Sequence, residues 1–215
     1  MGAPQVVVRG EAVLRVPPEA ADLLVGVHCR ARDRERALEA CAARGRAVVA
    51  VLARAGDAVE AQETAGVAVH LARDDRGATW SVAALDTRVT VGRTGAVGEL
   101  VVALGRLEDV EVRGPYWRLR PDSPVPGQAR LAAVADAVAR ARTYAAAFGV
   151  QLTGLVEVAD AGLGAGSPVA GPVAAMARFE SSGPALDLTP APQEVHGSVE
   201  VRFTTSVPDP EVFRR

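Results

Sequence analysis

Residues 5–16 place Val6, Val8, Gly10, Ala12, Leu14 and Val16 at every second position. That period predicts a strand with one buried face. Pro17-Pro18 ends it, and alternation resumes over residues 20–31 with Leu23, Val25, Val27 and Cys29 on one side. The two segments read as a hairpin. Asp33 is placed to cap a helix over about residues 34–55, whose apolar face is Leu38, Cys41, Gly45, Val48, Val49 and Leu52. Gly56 stands where such a helix stops.

The pattern then returns to period two. Val67, Val69 and Leu71 alternate within residues 63–72, Asp74-Asp75-Arg76-Gly77 reads as a turn, and a second strand runs from Trp80 to Val91. Thr94 is a candidate cap for a short helix with Val97, Leu100, Val101, Leu104 and Leu107 at spacings of three and four. Residues 110–119 read as another strand. A turn at Pro121-Asp122-Ser123-Pro124 leads into a long helix over about residues 127–148, with Leu131, Val134, Val138, Ala141, Ala145 and Phe148 as its apolar face and Gly149 as its stop. Residues 150–159 read as a strand. Residues 160–192, rich in Gly, Pro, Ala and Ser, have no sustained period and read as a long flexible loop. Val195, Gly197, Val199, Val201 and Phe203 mark a last strand to about residue 207, and residues 208–215 read as a frayed tail.

The predicted order is ββα-ββαβ-αββ. It implies an α+β fold of mostly antiparallel sheets with helices packed on one face. Residues 1–60 with 122–207 are expected to form a discontinuous outer subdomain, and residues 61–121 an inserted one.

Composition changes this picture in two respects. The apolar share is 49% of 215 residues, but 42 of these residues are Ala and 34 are Val, so the core rests mainly on Val and Leu. There is no Lys, Ile or Asn, and all 24 basic residues are Arg. Those three types have AT-rich codons, which points to a GC-rich genome. A formal charge of −2 argues against a nucleic-acid or polybasic membrane role. No apolar run reaches the length of about 18 residues that a membrane span needs. No basic residue precedes Val6-Val7-Val8, and Arg9 interrupts the run, so an export signal is not predicted and a cytoplasmic location is expected. Cys29 and Cys41, each among apolar neighbours, read as buried reduced thiols.

Candidate chemistry is sparse. Gly162-Leu163-Gly164-Ala165-Gly166-Ser167 looks like a phosphate-cradling loop, but Pro168, Gly171 and Pro172 prevent a helix from starting behind it, and a P-loop lysine does not exist. His28, His70 and His196 lie in three separate predicted strands without metal-ligand spacing, and His28 and His70 point away from the main valine face. Arg30, Arg32, Arg34 and Arg36, interleaved with Asp33 and Glu35, read as a solvated helix start. The neighbouring carboxylates Asp74-Asp75 and Glu108-Asp109 point opposite ways on extended backbone and read as turn or solvent residues. Trp80 and Tyr116-Trp117 suit either packing or an interface. No catalytic, cofactor or metal set is assigned.

Four stretches together carry a family resemblance. They are Val8-Arg9-Gly10-Glu11-Ala12 with Pro18-Glu19-Ala20-Ala21; Gln62-Glu63-Thr64 after Gly56; Ala135-Asp136-Ala137, Ala141-Arg142, Ala145, Phe148-Gly149 and Val156-Glu157-Val158; and the closing strand Val195 to Phe203. In this order, over roughly residues 5–207, the chain resembles the SIMPL-domain family, whose members are mostly of unknown biochemical function. The resemblance implies an α+β fold with outer and middle subdomains, and self-association. Periplasmic relatives form ring- or channel-like homo-oligomers, some members are tied to oxidative-stress tolerance, and a mammalian namesake is an adaptor in kinase signalling. No catalytic residues come with it. Many bacterial relatives begin with a signal peptide, and the start of this sequence does not look like one.

The leading expectation is a non-enzymatic, cytoplasmic homo-oligomer acting as scaffold or interaction module. Two alternatives stay open. One is a small-molecule or anion-binding protein with its site between the subdomains and residues 160–192 as a lid. The other is an enzyme of unfamiliar type using Asp, Glu and one histidine.

Overall fold

The structure is a computed structural model; it describes residues 3–73, 77–160, 186 and 188–214. Seven strands and three helices follow the expected order: β1 (Gln5–Val16), β2 (Ala20–Ala31), α1 (Arg34–Arg54), β3 (Val59–Arg73), β4 (Thr79–Val91), α2 (Val97–Gly105), β5 (Val110–Arg118), α3 (Val125–Ala147), β6 (Leu152–Asp160) and β7 (Gln193–Thr205). Among the described residues the chain divides into two compact units: residues 3–16, 122–160 and 194–214, and residues 17–73, 77–121, 186 and 188–193. The units meet after Val16 and after Pro121, which groups β2 and α1 with β3, β4, α2 and β5.

The reason is strand pairing. β1 and β2 do not form a hairpin. β1 pairs with β7 in a three-stranded sheet of order β1-β7-β6, and β2 is an inner strand of a four-stranded sheet of order β3-β4-β2-β5. Alternation gives a strand its period, not its partner. β2 pairs antiparallel with β4 from Ala21↔Val91 to Ala31↔Ser81 and with β5 from Ala20↔Arg118 to Val27↔Val110. β3 pairs antiparallel with β4 along its whole length, with irregularities at Val59/Ala61 and Thr64/Gly66. In the first unit β6 runs antiparallel to β7. β1 does so too, since Thr205 N donates to the Pro4 carbonyl at one end and Arg15 meets Glu194 at the other.

In the second unit, the helix-covered face of β2 presents Leu23, Val25, Val27 and Cys29, all at most 2% exposed. They pack with Ala37, Cys41, Val48 and Leu52 of α1 and Val97, Leu100 and Leu104 of α2. Asp33 caps α1 as expected, its carboxylate accepting from Arg36 N at 2.9 Å. Leu38 and Val49, expected in the core, are instead half-exposed, because the buried stripe runs through Ala37, Cys41, Gly45, Val48 and Leu52 beside them. Thr94 does not cap α2. It opens a short 3-10 turn, and α2 starts after Ala96 without a side-chain cap.

The first unit packs differently from expectation. α3 buries Val125, Ala129, Ala133, Ala137, Ala141 and Ala145, a stripe repeating every fourth residue. Leu131, Val134 and Phe148 of the predicted face are exposed. Gly10 on β1 and Gly197 on β7 explain the choice. A Cβ at Gly10 would overlap the Ala133 carbonyl, and one at Gly197 the Ala129 carbonyl, so the helix backbone lies directly on bare strand. Only alanine fits such a seam. The tail is not frayed as predicted: Pro210–Arg214 forms a 3-10 turn, and Phe213 rests on Phe148 with ring centroids 6.3 Å apart. The predicted loop over residues 160–192 and the glycine string at 162–167 lie outside the described residues, apart from positions 160, 186 and 188–192. No helix among the described residues is long and apolar enough to cross a membrane.

Candidate interaction surface

The face of the four-stranded sheet opposite α1 and α2 is open, and strand order brings polar residues from distant segments into rows across it. One network joins Thr90 and Asp22, which share a row, to Arg118, two residues along β5 from that row. Thr90 Oγ1 donates to Asp22 Oδ1 at 2.9 Å and Arg118 Nε donates to Asp22 Oδ2 at 2.8 Å. This network ties β4, β2 and β5 together, and Arg120 N continues it by donating to Glu19 at 2.8 Å.

A further row holds Gly66, Asp86, Gly26 and Glu111. His28, two residues along β2, folds back over Gly26. A Cβ there would lie 2.7 Å from His28 Nε2 and 3.1 Å from Asp86 Oδ1. His28 Nε2 stands 3.8 Å from Glu111 Oε2, and Arg113 Nη2 stands 3.9 Å from Asp86 Oδ1. These are ion contacts, longer than hydrogen bonds. Asp86 Oδ1 is the only buried side-chain oxygen without a hydrogen-bond partner among the described residues. No group of three or more His, Cys, Asp or Glu among the described residues could hold a metal. The cluster places His28, Asp86, Glu111 and Arg113 together on the open face.

The remaining predicted residues do not converge. His28 shares a row with Ala84 and Ala68, while His70 shares one with Val82 and Arg30. His196 points outward on β7 in the first unit. Cys29 and Cys41 are buried and form no disulfide, as read, and Cys29 Sγ donates to Asp109 Oδ2 at 4.0 Å. Burial, followed by the nearby Asp109 carboxylate, pushes the Cys29 thiol up to about 11. Asp109 itself, at φ 60°, turns the chain into β5 and pairs with Arg44 at 3.6 Å, as Glu108 does with the same guanidinium. Arg36 pairs with Asp33, as the interleaved charges suggested. Trp117 packs on the core and Tyr116 lies exposed on the open face. The Asp74-Asp75 pair lies outside the described residues.

What sequence reasoning missed is the condition of the sheet edges. β1 carries Arg9, Glu11 and Arg15, and Asp136 of α3 takes the Glu11 N–H at 2.9 Å. β5 carries Glu111, Arg113 and Pro115, with a register shift opposite Asp22/Leu24. These features block edge pairing. β6 is shorter, carries Glu157 and has two register shifts. β3 shares two of these features, a register irregularity at Thr64/Gly66 and the Arg34 contact with its Val69 carbonyl, and differs from the other edges in composition. From Thr64 to Ala72 it holds no Asp, Glu, Arg or Pro, and Val67 and Leu71 are 67% and 73% exposed. α1 covers β2 and β4 but leaves β3 overhanging. A groove of about 410 Å³ runs between them, lined by Val48, Val49, Gln62, Thr64, Leu85 and Thr87. Arg34 reaches across it to the Val69 carbonyl at 3.5 Å.

A comparison with curated proteins gives no match. A family model does match, over residues 6–203, and it is the one described as SIMPL, a protein of unknown function. With nearly the whole chain covered, including both sheets and all three helices, the chain belongs to the SIMPL family.

Proposed function

We propose that this SIMPL-domain protein is a non-enzymatic interaction module that acts as a homo-oligomer. One observation carries the reading: the long, uncharged, apolar edge of β3, beside edges that are blunted by charge, proline or a covering side chain. An exposed strand of this kind templates pairing with another chain, so a protein that keeps one uses it or aggregates. The groove beside it and the exposed Val67 and Leu71 add apolar area that pairing removes from water.

Light scattering coupled to size-exclusion chromatography tests this over a hundredfold range of concentration. A mass that is a multiple of 22.2 kDa is expected. A strict monomer throughout would overturn the reading.

A further inference from the structure

We propose that two copies join through β3, antiparallel, about a twofold axis at Ala68, so that two four-stranded sheets become one sheet of eight strands. The proposal rests on the self-association reading and adds the strand, its direction and its register.

Three features of β3 select this arrangement. The first is where the uncharged stretch lies. Residues 64–72 are centred on Ala68, and only an axis there brings the two stretches fully alongside each other. The second is charge. An axis at Ala68 sets Glu63 of each strand opposite Arg73 of its mate, whereas in-register parallel pairing sets Glu63 beside Glu63. The third is shape. Val67, Val69 and Leu71 lie on the face that α1 covers elsewhere, and Gly66, Ala68 and His70 on the open face. About Ala68, Val67 meets the partner's Val69, and the bare backbone of Gly66 receives the partner's His70. Gly66 has the room: a Cβ there would meet nothing nearer than Asp86 Oδ2 at 3.8 Å. Ala65, the extra residue at the Thr64/Gly66 irregularity, lies inside the uncharged stretch, so the regular part of the pairing about Ala68 runs from Gly66 to His70. The Arg34 contact uses one lone pair of the Val69 carbonyl and leaves the other.

The same surface could take an extended peptide from another protein. The self-complementary register favours a second copy, and the experiment separates the two. The full chain is compared with Val67→Lys, which places a charge at a 67%-exposed position on the edge. The variant is expected to keep the circular dichroism spectrum and to lose at least tenfold in association constant. Ala68→Cys is expected to give a disulfide-linked dimer on mild oxidation. His70→Cys, whose counterpart across the axis is Gly66, is expected to give much less.

A monomeric wild type overturns both the self-association reading and this interface, and leaves β3 to a foreign strand. A wild-type oligomer that survives Val67→Lys, with no cross-link through Ala68→Cys, overturns the β3 interface alone. Should Val67→Lys fail to fold, the Ala68→Cys and His70→Cys comparison decides by itself: a cross-link specific to position 68 supports the register, and equal or absent cross-linking rejects it.

Discussion

Gly10 and Gly197 stand under α3 at the points where its backbone meets the sheet. Substitution of either by alanine drives a methyl group into a helix carbonyl, and backbone must shift to admit it. Gly10→Ala and Gly197→Ala are each expected to destabilise by about 1–3 kcal/mol or more in urea unfolding. Gly66→Ala, with open space around it, is expected to change stability by less than about 1 kcal/mol. Cys29 gives a second residue-level expectation. Its folded-state value is raised to about 11 from an ordinary 9.0. Between these values the unfolded chain has released the thiol proton while the folded one still holds it, so raising the pH favours unfolding. The contribution is intact below pH 9 and lost by about pH 11, a fall of roughly 2–3 kcal/mol. Denaturant midpoints measured from pH 7 to 11 should decline more steeply for the wild type than for Cys29→Ala. Parallel declines would remove Cys29 as the cause.

At the scale of elements, α3 shows how size and burial can part company. Leu131, Val134 and Tyr144 lie outside while Ala129, Ala133, Ala137, Ala141 and Ala145 lie inside, so Ala137→Leu is expected to cost about 1–3 kcal/mol, while Leu131→Ala, at 72% exposure, stays within about 0.5 kcal/mol. The sequence contained the signal, alanines at 129, 133, 137, 141 and 145, but its meaning depends on Gly10 and Gly197, which are remote in sequence. Strands and helices were legible because period two and period 3.6 are local. The cap at Asp33 and the stops at Gly56 and Gly149, both with positive φ, were legible for the same reason. Partners were not. Nothing in the alternation of residues 5–31 says that β1 and β2 enter different sheets. The cluster of His28, Asp86, Glu111 and Arg113 was hidden likewise, since its members meet only once the order β4-β2-β5 is known. The outward direction of His28 was legible from parity alone.

For the whole molecule, the family is the same one the ordered motifs indicated, and its fold is α+β with two antiparallel sheets. Self-association has a thermodynamic signature apart from mass. Dissociation coupled to unfolding makes the thermal midpoint rise with protein concentration. A melt at 1 and 100 μM is expected to show that rise for the wild type and to lose it in Val67→Lys. A midpoint independent of concentration in the wild type counts against an oligomer held at these concentrations.

The placement of β1 beside β7 also has a consequence for how the chain is made. The four-stranded sheet has all its strands once residue 118 is synthesised, whereas β1 must wait for β7, which ends at Thr205. A ribosome adding roughly 5–20 residues per second therefore leaves β1 without its partner for about 10–40 seconds. During that interval Val6, Val8 and Ala12 have no finished sheet to enter. β1 is made before the other strands of its sheet and is among the last elements to be secured.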